Sequence, residues 1–300
     1  MTTAIHPSAA RPPMRITGSV IGLFLIACVP AVNAEMKPMS DQEMGDVTGQ
    51  SMLALDVTES GGKDFTRYTV GAEADFQMNM EELAVGETAN GADVAVDHLS
   101  FGHIARQAGD QFDGNNYSAG DIVPFIGRDP YLELADDQNG DVVGFRVGFT
   151  ESRGTLSGDI SSLTGRLGID IVDGGTTKQG QLLQDDGTAN NQRATHYGLA
   201  DSADCSPGGS GCAPLSAFET LEVGERKSDG GAGFTNNFFI SFQNEAVEWN
   251  SPEGQGSVQT DAGVFLNIPT AMRVELQELE KDVVSPRSRT EYIDRGEGLF

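Results

Sequence analysis

The sequence predicts an all-β fold: a sandwich-like or elongated multi-stranded antiparallel sheet with long Gly/Asp-rich loops and a short N-terminal helix. Three observations predict it. The 300 residues include 38 Gly but only 7% aromatics, a composition that favours many tight turns over long helices. Apolar residues recur in short runs with a period of two, the spacing of a half-buried strand. Clusters of Gly, Asp, Asn and Ser separate those runs and mark the turns between them.

Residues 1–34 read as a secretory signal peptide. Arg15 supplies the basic start, Val20 to Val29 the apolar stretch, and Val32-Asn33-Ala34 a small-residue cleavage site. Met14 also fits as a start. Leu25-Ile26-Ala27-Cys28 supports a second reading, a lipobox whose Cys28 carries a lipid anchor and gives the only route to a membrane. Outside this segment no window approaches the roughly 18 apolar residues of a membrane helix. The terminal "DRGEGLF" ends in an aromatic but lacks the alternation of a barrel's closing strand.

Residues 35–58 form the next element, a capped helix followed by a strand. Ser40 and Glu43 stand in capping-box spacing, and Met39 and Met44 occupy the positions of a hydrophobic staple. Gly45 or Gly49 ends the helix. Leu53, Leu55 and Val57 then alternate as a strand over 51–58. A helix of about two turns does not persist alone, so Met39, Ser40, Glu43, Met44 and Val47 are read as a docking element for the chain's own sheet or for a partner.

The pattern Met39-Ser40-Asp41-x-Glu43-Met44-x-x-Val47-Thr48-Gly49-Gln50, set behind a signal peptide, resembles the N-terminal signature of FilA-like pilus-system proteins, filament-associated envelope proteins of Gram-negative bacteria. The stretch "DPYLELADDQNGDVVGFRVGFTESRGTLSGDISSLTGRLGI" resembles the same group. The resemblance implies a cell-envelope or surface-filament setting. It implies no reaction and no catalytic residues.

Residues 59–284 read as a β-rich domain. Tyr131 to Leu134 and Val142 to Phe149 flank Asn139-Gly140, the dipeptide of a type I′ hairpin. Phe145, Val147 and Phe149 fall on one face of that strand, Arg146 and Gly148 on the other. Leu156, Ile160, Leu163, Leu167, Ile169 and Ile171 recur at a spacing compatible with short strands or ladder-like coils. Residues 173–235 are dense in Gly, Asp, Asn, Gln and Ser and are expected as a loop-rich insertion. Strands resume at Phe238 to Phe242 and at Gly263 to Ile268, with Trp249 as a core residue. Met272, Val274 and Leu276 fit a strand, while Met272, Leu276, Leu279 and Val283 fit a helix; neighbouring strands favour the former. Residues 285–300 form a polar C-terminal tail.

The formal charge of −26 excludes nucleic acid as a partner, because phosphate binding needs a basic surface. Cys205 and Cys212 in "CSPGGSGC" pair as a disulfide in an exported chain, closing a loop worth ~2–3 kcal/mol. Calcium is the one cofactor candidate: Asp137, Asn139 and Asp141 copy the first ligand positions of a D-x-N-x-D loop. Val142 and Gly148, however, stand where that loop wants Gly and a bidentate Glu. The weaker acidic turns 110–116 and 185–187 read as turns. His98 and His103 lack a third ligand at a diagnostic spacing, and His196 stands alone. No G-x-S-x-G elbow, P-loop or dinucleotide fingerprint occurs.

The expectation is an exported, non-enzymatic envelope or surface protein in the periplasm, at the outer-membrane surface or outside the cell. It would act as a filament- or pilus-associated structural or adhesive component, with other envelope or filament proteins or a second copy as partners. The alternatives are a calcium-dependent carbohydrate-binding or adhesive module and a secreted hydrolase.

Overall fold

The backbone is almost entirely extended, in a computed structural model that describes residues 53–200, 204–206, 209–228, 230–252 and 256–291. All of them fall in one compact unit, 49–300. Cys28, the expected N-terminal helix and its docking residues Met39, Ser40, Glu43, Met44 and Val47 lie outside the described residues.

The chain opens with β1 (Leu53–Ser60), β2 (Lys63–Val70), β3 (Glu73–Phe76), β4 (Met78–Asn79), β5 (Glu82–Val85) and β6 (Val94–Phe101). It continues through β7 (Phe125–Asp136), β8 (Val142–Leu163), β9 (Gly165–Asp173), β10 (Thr176–Gln179), β11 (Thr220–Val223) and β12 (Phe239–Gln243). A hairpin of β13 (Val247–Asn250) and β14 (Ser257–Thr260) precedes β15 (Gly263–Glu275), which ends in the 3₁₀ turn Leu276–Glu280. The strand reading of Met272 and Val274 therefore holds, and the helical stripe reduces to one short turn.

Apart from the hairpin, these strands form one hydrogen-bonded network with the path β1-β2-β7-β8-β11-β15-β9-β10. The 22-residue β8 organises it. Its first half pairs with β7 on one side and β12 on the other, and its second half pairs with β6 and β11. Register shifts at 157–159 and 160–162 let the strand bend from one layer into the next. Only Thr164 separates β8 from β9, yet β9 lies parallel to β15. This is the one parallel ladder of the otherwise antiparallel network. Gly165 makes the approach feasible, since a Cβ there would meet the Leu266 carbonyl oxygen at 2.0 Å.

Two apolar clusters result. The larger lies between layers and includes Val96, Phe125, Leu156, Ile160, Ile169, Phe218 and Leu221. The smaller lies under the β13–β14 hairpin, where Trp249, Val247 and Val258 cover Phe65, Phe239 and Phe265.

The segment 173–235, expected as a loop-rich insertion, contributes to the larger cluster through Leu182, Tyr197, Leu199, Leu215, Phe218 and Leu221. The Tyr197 hydroxyl accepts a hydrogen bond from the Ile169 amide at 3.0 Å and lies 2.7 Å from the Ile169 carbonyl, which fastens the segment to β9. Its apolar residues are few, but nearly every one is buried, so average composition concealed their role. The expected polar tail is also tied down as far as Glu291. The Arg287 amide donates to Glu219 at 2.7 Å, and the Arg289 carbonyl accepts from Ile104 at 2.6 Å.

The β7–β8 turn differs from the expected type I′ form. Gly140 has φ 83°, whereas Asn139 is absent from the positive-φ residues. The Gly140 amide donates to the Asp137 carbonyl at 2.9 Å, and the pairing slips by one residue beyond Ala135. This is a turn followed by a glycine bulge, and it leaves room for the Asp137 side chain to cap the loop.

Candidate docking face

Register across the first four strands of the path sorts their side chains into two faces. Leu55, Tyr68, Leu132 and Val147 stand in one cross-strand row, which Ile240 extends on β12. Val57, Thr66, Leu134, Phe145 and Phe242 form the next row, and Leu53 pairs with Val70. All of these lie on what we term the open face. The rows shifted by one residue, such as Arg67, Glu133, Arg146 and Ser241, lie on the capped face beneath the hairpin.

The two faces meet different surroundings. On the capped face Arg146 is 0% exposed. Its Nε donates to Glu133 Oε2, and Arg67 Nη2 lies 2.8 Å from Glu133 Oε1. The Arg146 guanidinium sits about 5 Å from the rings of Tyr131, Phe239 and Trp249. Its Nη2 donates to the Asn250 carbonyl of the hairpin. Burial among these groups pushes the Tyr131 phenol above its ordinary range.

The open face is covered by the larger cluster only toward β12 and β15, where Phe149, Ile240 and Phe242 pack against it. Away from there it meets solvent: Leu53, Leu55 and Val57 are 60%, 59% and 67% exposed. Tyr68, Val70, Leu132, Phe145 and Val147 are each roughly two-fifths exposed, and Val142 joins them beside Asp136. Phe145 stacks on Phe242 at 4.9 Å and links the open part to the covered part. Taking ordinary full side-chain areas, the exposed apolar surface amounts to roughly 700 Å², above the ~300–600 Å² of the largest patch on a typical monomer.

Two further features mark this end of the sheet. β1 is the terminal strand of the path, and it contains neither the Lys nor the Pro that commonly blunts an edge. At the hairpin end, Glu59, Asp64 and Asp136 stand side by side on the open face, with no ion pair among the described residues.

The other sequence candidates fall elsewhere. Asp137 Oδ1 accepts from the amides of Asn139 and Asp141 at 2.8 and 2.9 Å, and Oδ2 accepts from Asn139 Nδ2 at 2.9 Å. Asp141's amide, followed by Asn139, holds the Asp137 carboxyl below its ordinary value. Asp137, Asn139 and Asp141 are thus brought together, with the Asp137 carboxylate accepting three hydrogen bonds within the turn and Asn139 donating its Nδ2 to it. Among the described residues no group of three His, Cys, Asp or Glu side chains could hold a metal ion. Asp113 closes the same kind of turn with Asn115. Cys205 and Cys212 are bonded, with Cα atoms 5.6 Å apart.

His98 Nδ1 lies 3.2 Å from Asp159, His103 lies between Thr155 and Gln111, and His196 contacts Thr195. None of the three joins a serine to a carboxylate. Burial lowers the pKa of His103. A polar concavity of ≈ 550 Å³ carries Arg166, Asp170, Glu225 and Arg226, and none of its lining residues among those described is aromatic. Among the described residues no helix is long and apolar enough to cross a membrane.

Comparison with known proteins adds one match. A family model described as "Family of unknown function (DUF6160)" matches residues 14–118. No curated protein and no solved structure matches the chain. The open face was missed in the sequence, although its signal was present: Leu53, Leu55 and Val57 alternate cleanly, but alternation does not say which side is covered.

Proposed function

We propose that this chain is an exported, non-enzymatic β-scaffold of the cell envelope that works by docking, as a structural or adhesive component associated with a surface filament. The open face and the β1 edge are its attachment site for another envelope or filament protein or for a second copy. The observation that carries this reading is the apolar face of β1, β2, β7 and β8, whose exposed area reaches the upper end of what a typical monomer shows. The signal-like residues 1–34 and the bonded Cys205–Cys212 pair support export, since disulfides persist in oxidising compartments. The FilA-like signature at Met39–Gln50 supports the filament setting. Within this reading, the segment from Ser40 to Thr58 is a second docking element.

The test is to express the full chain, sequence its mature N-terminus, and compare the surface-associated fraction of wild type with Leu55→Asp and Leu132→Asp. Both variants are expected to fold and to leave that fraction. Retention of both variants at wild-type levels, an unprocessed N-terminus in the cytosol, or turnover in a broad hydrolase screen would reject the proposal. Deleting Met36–Gln50 tests the second element: lost stability with attachment intact removes it from the docking role.

A further inference from the structure

Between β4, β5 and β6 on one side and β8, β12 and β15 on the other, the side chains leave a cavity of ≈ 310 Å³. Met80, Leu83, Val96, Ile160, Leu163 and Ile240 are in its wall, and among the described residues no ionisable side chain lines it. Met78 and Val147 also line it and are 40% and 44% exposed, so the cavity opens between β4 and β8, beside the open face.

A space with such a wall suits neither water nor a polar ligand. Water needs two to four polar partners, and a charged or hydrogen-bonding ligand would lose its hydration without replacement. An apolar guest instead restores the dispersion contacts that the wall lacks. A cavity of about 150 Å³ accepts one benzene ring, so twice that volume accommodates about ten to twelve carbon atoms. The polar end of such a guest must remain at the mouth, and a protein of formal charge −26 disfavours an anionic end.

We propose that this cavity binds the hydrocarbon chain of an uncharged single-chain amphiphile, with the chain inserted between the layers and the head group left outside by Met78. The Met78 thioether at the entrance suits this role, because its flexibility lets it reshape around a guest. The cavity shares Val147 and Ile240 with the open face but none of the β1 residues, so a variant on β1 separates the two sites.

The full mature chain would be titrated with N-phenyl-1-naphthylamine as a fluorescent reporter, then with 1-dodecanol, 1-hexanol and dodecanoate as competitors. One saturable site is expected, with 1-dodecanol displacing the reporter at least tenfold better than either of the others. Ile160→Phe, which fills the interior, should weaken dodecanol binding at least tenfold without lowering the melting temperature. Met78→Trp, at the half-exposed mouth, should weaken it similarly and serves if the first variant does not fold. Leu55→Asp should bind dodecanol as wild type does, which separates this site from the docking face. Absence of saturable binding, or binding unchanged in both cavity variants, would overturn the proposal. Co-sedimentation with phosphatidylcholine vesicles distinguishes a free amphiphile from a bilayer: vesicle binding insensitive to Ile160→Phe and Met78→Trp, with no soluble dodecanol complex, would also overturn it.

Discussion

Of the two faces of β2, β7 and β8, the one carrying Arg67, Glu133 and Arg146 is buried, whereas the one carrying Tyr68, Leu132 and Val147 is half-exposed. Polarity alone would assign them the other way round. The buried charges are tolerated because Glu133 meets two guanidinium groups and three aromatic rings surround Arg146. The exposed apolar rows have no comparable compensation within the described residues. The β13–β14 hairpin, not the residue type, thus decides which face is inside, and the uncovered apolar face is the one the docking proposal uses.

The most severe way to break the contrast is Glu133→Ala, which leaves Arg146 buried without its carboxylate. The expected loss is about 3–5 kcal/mol, read as a fall in denaturant midpoint. The double change Arg146→Met with Glu133→Leu should recover most of that loss, because an apolar pair of similar size carries no desolvation penalty. A double variant as unstable as Glu133→Ala would mean the triad holds the hairpin through specific bonds.

Cys212→Ser removes a staple that belongs to neither face. A loss of about 2–3 kcal/mol is expected, with attachment through the open face retained. If attachment is lost while the protein remains folded, the loop would belong to the docking surface. Leu55→Asp tests the open face directly and should change folding stability by less than about 1 kcal/mol, since its side chain is already mostly exposed. A larger loss would show that this face supports the fold.

The smallest expected effect is a pH dependence from His103, which is buried between Thr155 and Gln111, with Asp113 nearby. Burial lowers its folded-state pKa, so its contribution is present above the ordinary imidazole value near 6.5 and is lost as pH falls toward the folded value. His103→Gln should flatten that part of the stability profile and leave the pH dependence of attachment unchanged. An unchanged stability profile would show that His103 protonates without opposing the fold.

Local sequence carried much of the architecture. The alternation of Leu53, Leu55 and Val57, the run Phe145, Val147, Phe149 and the strand at Phe238 to Phe242 all reappear as strands. The Asp137 loop was recognisable as a turn, which its carboxylate closes by accepting from the Asn139 and Asp141 amides. The β7–β8 turn type was misread, because Asn-Gly is compatible with both the two-residue turn and the bulged form. The segment 173–235 was underestimated because Tyr197, Phe218 and Leu221 reach the core from stretches too short to show a period.

By itself, the sequence determined that this is a glycine-punctuated, strongly acidic β protein, and which residues share a side of each strand wherever the pairing runs without a bulge. Side-chain parity follows from backbone geometry two residues at a time, so it needs no distant information. Tertiary structure alone decided which side is interior, where β8 bends, and that β9 lies beside β15. Those outcomes depend on contacts between residues a hundred or more positions apart, such as Arg146 with Asn250 and Gly165 with Leu266, and no local pattern encodes them.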